Sequence, residues 1–174
     1  MEYYCLKVDK RYTDAPVVKN WYGKLNRENM CIEKAHLLPK RELLEITYNP
    51  KVVFTDIITF PYFLVSDMCK RVISKYVPNT IYRQIVLMDI KSQKFKVYHL
   101  PILPKVVSIK QRDYLELGVK VELPVLSKKE IGFLKIFQVI ELEKTYTIVS
   151  LDLLESLLRR RAKGIDIEEV KVVR

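Results

Sequence analysis

The sequence predicts an α+β fold: a mostly antiparallel sheet with two or more short helices packed on it. Three observations carry this. Residues 81–90 and 95–100 are strand-like runs joined by Lys91-Ser92-Gln93-Lys94, a polar link of hairpin length and too short for a parallel crossover. Two amphipathic helical patterns start behind serines, Ser66 and Ser150, each directly after a short apolar run. Long helical patterns are too few to cover both faces of a parallel sheet. The chain has 174 residues, 49% hydrophobic and 30% charged, enough for a sizeable core without disulfides or metal. We read it as residues 1–50, an N-terminal extension or subdomain packed on the main body, and residues 51–174, the main α+β domain.

The elements follow in chain order. Residues 2–8 are aromatic and β-favouring and read as a strand. Residues 9–50 hold Pro16, Pro39, Pro50, the lone Trp21 and the turn-like Asn20-Trp21-Tyr22-Gly23, and allow a short helix near 40–46. Val52 to Ile58 reads as a strand, punctuated by Pro61 and Tyr62. In the helix after Ser66, positions 68, 69, 72, 73 and 76 share an apolar face. Ser66 suits the N-cap and Asp67 the positive end of the helix dipole. Val119 to Val125 alternates as a half-buried strand. Ser127-Lys128-Lys129-Glu130 matches a capping box, but Ile131-Gly132-Phe133 reads as a turn before a strand over 133–140. Tyr146 to Val149 is a strand. Ser150 then caps a helix expected to bury Leu154, Leu157 and Leu158 and to leave Arg159 to Arg161 in solvent. Gly164 supplies the left-handed helix exit, and 165–172 alternates into a last strand. Phe63-Leu64-Val65-Ser66 lines up with Thr147-Ile148-Val149-Ser150, so the two strand–serine–helix segments resemble each other.

Signs of catalysis are missing from the sequence. Only 4 glycines occur, and no phosphate-loop, dinucleotide, metalloprotease or nucleophile-elbow pattern is present. His36 and His99 read as partly exposed residues. Cys5 and Cys69 read as core residues; with Cys31 they make an odd set without a CxxC pair, which fits a reducing cytoplasm. Glu168 and Glu169 point to opposite strand faces, and Glu141 with Glu143 reads as a solvated face. The sequence therefore predicts no enzyme, no cofactor and no metal. No apolar run reaches the length of a membrane span, and the N-terminus does not read as a signal peptide.

The net charge is +10, which favours an acidic partner surface. Residues 61–126 carry 11 basic and 5 acidic residues, while the flanking segments each contribute a net +2. On the second hairpin strand, Lys94, Lys96 and Tyr98 share one face, opposite Phe95 and Val97, and Arg83 lies on the paired strand. These four, with Trp21 and Tyr22 as exposed aromatics, are the candidate binding residues. Tyrosine, at 11 residues, suits recognition surfaces. Basic residues interleaved with aromatics over 94–99 also resemble a single-strand nucleic-acid face, which is the alternative reading.

Phe63-Leu64-Val65-Ser66-Asp67, Tyr98-His99-Leu100-Pro101, Ile136-Phe137-Gln138-Val139, the run Ile148 to Leu158 and Gly164-Ile165 together resemble a family of bacterial immunity proteins. These belong to polymorphic toxin systems; the family was first catalogued as a domain of unknown function and then linked to a myxobacterial toxin–immunity pair. Its members tend to carry an "IVS" helix start twice and an exit of the type "GIxxEEV". The resemblance covers roughly residues 50–172 and does not account for the basic charge. It implies a small cytoplasmic protein without catalysis of its own, which binds a cognate toxin domain and blocks its active site. It assigns no functional residues.

Overall fold

The hairpin expected from the sequence is the longest paired element of the structure. A computed structural model of the chain describes residues 2–109, 123–141 and 144–173. In it β6 (Ile81–Asp89) and β7 (Lys94–Ile102) pair antiparallel from Ile81↔Ile102 to Asp89↔Lys94. Asp89 builds the turn. Its Oδ1 accepts from Lys91 N–H at 3.0 Å and its Oδ2 from the Ser92 hydroxyl at 2.6 Å, the Asp-turn geometry that competes with continued strand. Around this hairpin lie β2 (Val18–Lys19), β3 (Arg41–Ile46), β4 (Ile57–Ile58) and β5 (Leu64–Val65), in the order β2-β3-β6-β7-β5-β4. Among the described pairs of this sheet, only β3 and β6 run parallel.

The second sheet has five strands. β1 (Tyr3–Val8) lies between β11 (Lys144–Ser150) and β12 (Ile165–Glu169), and β10 (Ile136–Glu141) and β8 (Lys105–Val106) complete the order β12-β1-β11-β10-β8. Among the described pairs here, only β8 and β10 are parallel. β9 (Leu126–Ser127) and β13 (Val172–Val173) form a separate parallel pair. The fold is α+β with short helices, as the sequence predicts. Residues 1–50, expected as an extension or subdomain on the body, are hydrogen-bonded into both sheets: β1 inside one, β2 and β3 at one side of the other.

The helices α1 (Asp67–Tyr76) and α3 (Leu151–Arg159) pack together in one core. Cys69, Val72 and Ile73 from α1 meet Leu153, Leu154 and Leu157 from α3, over Val65 and Val149 of the strands that lead into them. Tyr76 reaches across and donates its hydroxyl to the Asp152 carbonyl at 3.0 Å. The resemblance of the two segments is thus a shared strand-to-helix geometry, but the serines differ. Ser66 Oγ accepts from Cys69 N–H at 3.3 Å and caps α1. Ser150 makes no such cap; its hydroxyl binds the Asp152 carboxylate.

Several expectations are corrected. Residues 41–46 are strand, not helix: pairing between β2 and β6 places Leu44 and Ile46 in the core, and tertiary pairing overrides the helix preference of Leu and Glu. In 52–58 only Ile57–Ile58 is strand. After Ser127 comes α2 (Lys128–Ile131), a single turn capped by the Ser127 hydroxyl on Lys129 N–H at 3.3 Å, and β10 begins only at Ile136. On α3, Leu154 and Leu157 are buried as expected, but Leu153 completes the buried face in place of Leu158, which is 45% exposed. The strand expected over 165–172 is split: β12 ends at Glu169 and β13 follows at Val172–Val173. Of the strand expected over Val119–Val125, positions 119–122 lie outside the described residues, as does Glu143 of the carboxylate pair; Leu123 and Val125 are buried.

The exit of α3 also differs. Arg161, at φ +55°, takes the left-handed position. Arg161 N–H donates to Leu158 C=O at 2.8 Å and Ala162 N–H to Leu157 C=O at 3.3 Å, which is a Schellman closure. Gly164, at φ +78°, does something else: a Cβ there would lie 2.5 Å and 2.6 Å from Thr55 Cγ2 and Cβ.

Candidate functional site: an aromatic platform around Arg27

The hairpin face expected to bind a partner points inward. Arg83, Lys94, Lys96 and Tyr98 share a face with Ile85, Leu87 and Leu100, and those residues belong to the core beneath the 18–38 segment. Tyr98 is fully buried and donates its hydroxyl to Thr55 C=O at 2.6 Å; burial pushes its pKa up. Arg83 donates to the Ala35 carbonyl at 2.7 Å. Lys94 and Lys96 lie toward the hairpin tip, where Lys94 donates to Pro50 C=O at 2.9 Å and Lys96 lies 5.6 Å from the Tyr98 ring centre. Phe95, on the opposite face, is 63% exposed. The alternation holds, but the Tyr98 end of the face expected to bind is buried, because the 18–38 segment covers it.

Trp21 and Tyr22 are brought into a defined cluster. Asn20 takes φ +52° and Gly23 φ +75°, so the chain doubles back, and Lys24 N–H closes on Trp21 C=O at 3.1 Å. Trp21 then meets three rings edge to face: Tyr22 at 5.9 Å, Phe60 at 5.5 Å and Tyr62 at 6.1 Å between centres. Tyr62 is buried and hydrogen-bonds the carbonyls of Trp21 at 3.3 Å and Leu25 at 3.5 Å, which holds the loop to the core. Burial pushes the Tyr62 hydroxyl pKa up, against the opposing effect of Arg27. Asn26 caps a short 3-10 turn by accepting from Glu28 N–H at 2.9 Å, and Arg27 opens that turn. Its guanidinium lies 5.4 Å from the Trp21 ring centre and 5.9 Å from that of Tyr62, and donates to Pro61 C=O at 3.2 Å. The outer rim is apolar and exposed, with Tyr22 at 90% and Phe60 at 64%.

Three hollows meet at Arg27. The largest, about 480 Å3, lies against Trp21, Tyr22 and Tyr62. A second, about 70 Å3, runs under Pro61 to Lys105 and Gln138, and a third, about 280 Å3, follows Phe60 to Lys144 and Tyr146. The platform therefore spans both sheets. No protein-family model matches the chain, and no curated protein matches it.

The sequence reading named Trp21 and Tyr22 but missed Arg27, Phe60, Lys105 and Lys144. Phe60-Pro61-Tyr62, two aromatics flanking a proline, carries a usable signal, of which only Pro61 and Tyr62 enter the sequence reading, as punctuation of a strand. Arg27 had no signal beyond its nearness to Trp21.

A second group has the composition of a catalytic pair. His99 Nε2 donates to Asp67 Oδ1 at 2.7 Å. His99 was expected to be partly exposed but is only 7% exposed, because α1 covers this end of the sheet. Burial lowers its pKa, and the bond to Asp67 opposes that shift without overcoming it; the same bond lowers the Asp67 carboxyl. The nearby Cys69 thiol is buried and pushed up to about 12, and Cys5 to about 11, far from the thiolate form that a nucleophile needs. The pair ties the start of α1 to β7. Among the described residues no group of three or more His, Cys, Asp or Glu is placed to hold a metal ion, and no helix is long and apolar enough to cross a membrane.

Proposed function

We propose that this protein is an immunity-like binder that neutralises a cognate toxin domain by occupying it, with the Trp21–Arg27 platform as the contact centre. One observation carries the reading: Trp21, Tyr22 and Phe60 meet around an exposed arginine held by two rings and a carbonyl. Trp, Tyr and Arg are the residue types in which binding energy concentrates at protein interfaces. A preordered cluster loses less side-chain entropy on docking than a mobile one. The resemblance of residues 50–172 to immunity proteins of polymorphic toxin systems supports the same reading.

Nucleic-acid binding is the second reading, since aromatics beside cations also suit a single strand. The geometry favours it less. Base stacking needs an open ring face, and the Trp21 ring carries the Arg27 guanidinium on one side and meets its three aromatic neighbours edge-on.

The test is rescue. The domain encoded beside this chain's gene is expressed in a laboratory host, alone and with the chain. The reading expects toxicity that the wild-type chain suppresses and that a folded Tyr22→Ala, Arg27→Ala variant suppresses poorly. Full suppression by that variant, or a neighbouring domain that is harmless, would overturn it.

A further inference from the structure

Among the described residues, the three hollows that meet at Arg27 are lined by three cations, Arg27, Lys105 and Lys144, and by no carboxylate. In a chain with 21 acidic residues, that one-sided lining sets the chemistry of an occupant. We infer that the groove seats an acidic, extended segment of the partner protein. In this arrangement Arg27 takes a carboxylate, Lys105 and Lys144 lie beside flanking ones, and an apolar side chain packs on Phe60. The inference rests on the binding reading above and adds what the platform binds.

The guanidinium supports this directly. It has five N–H donors, and Pro61 C=O takes the one hydrogen bond it makes to the described protein. Trp21 and Tyr62 hold its plane, so a fork of donors stays available for a two-pronged bond to a carboxylate. Lysines at the two arms attract negative charge without fixing its geometry, which suits steering. Apolar side chains line the same hollows as these cations: Phe60 with Arg27 and Lys144, and Ile140, 52% exposed, with Lys105. An alternating acidic and apolar strand matches such a surface. A nucleic acid would instead take a run of phosphate contacts, for which three dispersed cations are few.

The lone tryptophan of the chain sits in this groove, so its emission reports occupancy. The probe is a short capped peptide alternating Glu with Leu and Phe. Controls are the same peptide with Lys for Glu, and oligothymidylate. The acidic peptide should shift Trp21 emission saturably, and the Lys peptide should not. Arg27→Ala should weaken binding about tenfold. Lys105→Glu with Lys144→Glu should weaken it severalfold and flatten its salt dependence. Arg27→Lys, which keeps the charge and loses the fork, should fall between wild type and Arg27→Ala. Circular dichroism of each variant establishes that it is folded. An equal response to the Lys peptide, no response to the acidic one, or tighter binding of oligothymidylate would overturn the inference. If the acidic peptide fails while rescue still requires Tyr22 and Arg27, the acidic segment is wrong and the binding reading stands. If rescue itself fails, the binding reading is wrong whatever the peptide does.

Discussion

Gly164→Ala should be among the most damaging single-methyl additions to this protein, and the structure separates its two causes. At φ +78° an L-residue is strained by about 1–2 kcal/mol. The added Cβ would also lie 2.5 Å and 2.6 Å from buried Thr55 carbon atoms, and overpacking of that kind costs about 1–3 kcal/mol. Little can give way. Thr55 is fully buried and donates to Ile57 C=O at 2.8 Å, and the next residue is held through Asp56 N–H to Lys163 C=O at 2.9 Å. Gly164 C=O itself accepts from Asp9 N–H at 3.0 Å. The sum is a loss of roughly 2–5 kcal/mol. Gly23→Ala is the internal control: its φ is +75°, but nothing lies within 4 Å of the added atom, so only the backbone part, about 1–2 kcal/mol, should appear. Urea denaturation followed by far-ultraviolet circular dichroism gives both values. Adding Thr55→Gly should restore at least about 1 kcal/mol to the Gly164→Ala protein relative to additive losses. Equal losses at Gly23 and Gly164, with no coupling to Thr55, would refute the steric argument.

Three further outcomes follow from particular side chains. Leu157→Ala should cost about 2–5 kcal/mol and Leu158→Ala less than about 1 kcal/mol, since the first is buried and the second is 45% exposed; the same urea series reads both, and the reverse order would mean that α3 packs through another face. Arg161→Gly should stabilise the protein by about 0.5–1 kcal/mol, because Arg161 holds the left-handed position of the α3 exit at φ +55°; a lower urea midpoint would contradict this. The His99 and Asp67 pKa values are both lowered by folding, so the unfolded chain takes up protons first. Stability should therefore fall as pH drops, from about 6.5 for His99 and about 3.9 for Asp67, and His99→Gln should flatten the slope between about pH 7 and 5; a urea midpoint that rises toward acid would reverse the sign of the argument.

What the sequence made legible was local. The hairpin, the Ser66 cap and the buried thiols depend on neighbouring residues, and the structure has them all. What it hid depends on which segment covers which. Tyr98 and Phe95 alternate correctly, but only the packing of residues 18–38 decides that Tyr98 is inside. Residues 41–46 carry helix-favouring Leu and Glu, and only the strands on either side make them β3. At the platform, Trp21 and Tyr22 were visible as a turn-like aromatic pair. Arg27, Phe60, Lys105 and Lys144 lie up to 123 residues away from Trp21 in sequence; folding alone sets Phe60 against the Trp21 ring and brings Lys105 and Lys144 into hollows that share Arg27.

The most direct test of the binding account is the dissociation constant, for paired variants of this chain, of whatever domain the rescue experiment identifies as the partner. Arg27→Ala and Tyr22→Ala should each weaken binding at least tenfold, the loss typical of interface centres. Lys94→Glu with Lys96→Glu, at the hairpin tip away from the platform, should change it less than about threefold. A complex that survives the first pair and fails with the second would contradict the account and move the contact centre to the hairpin.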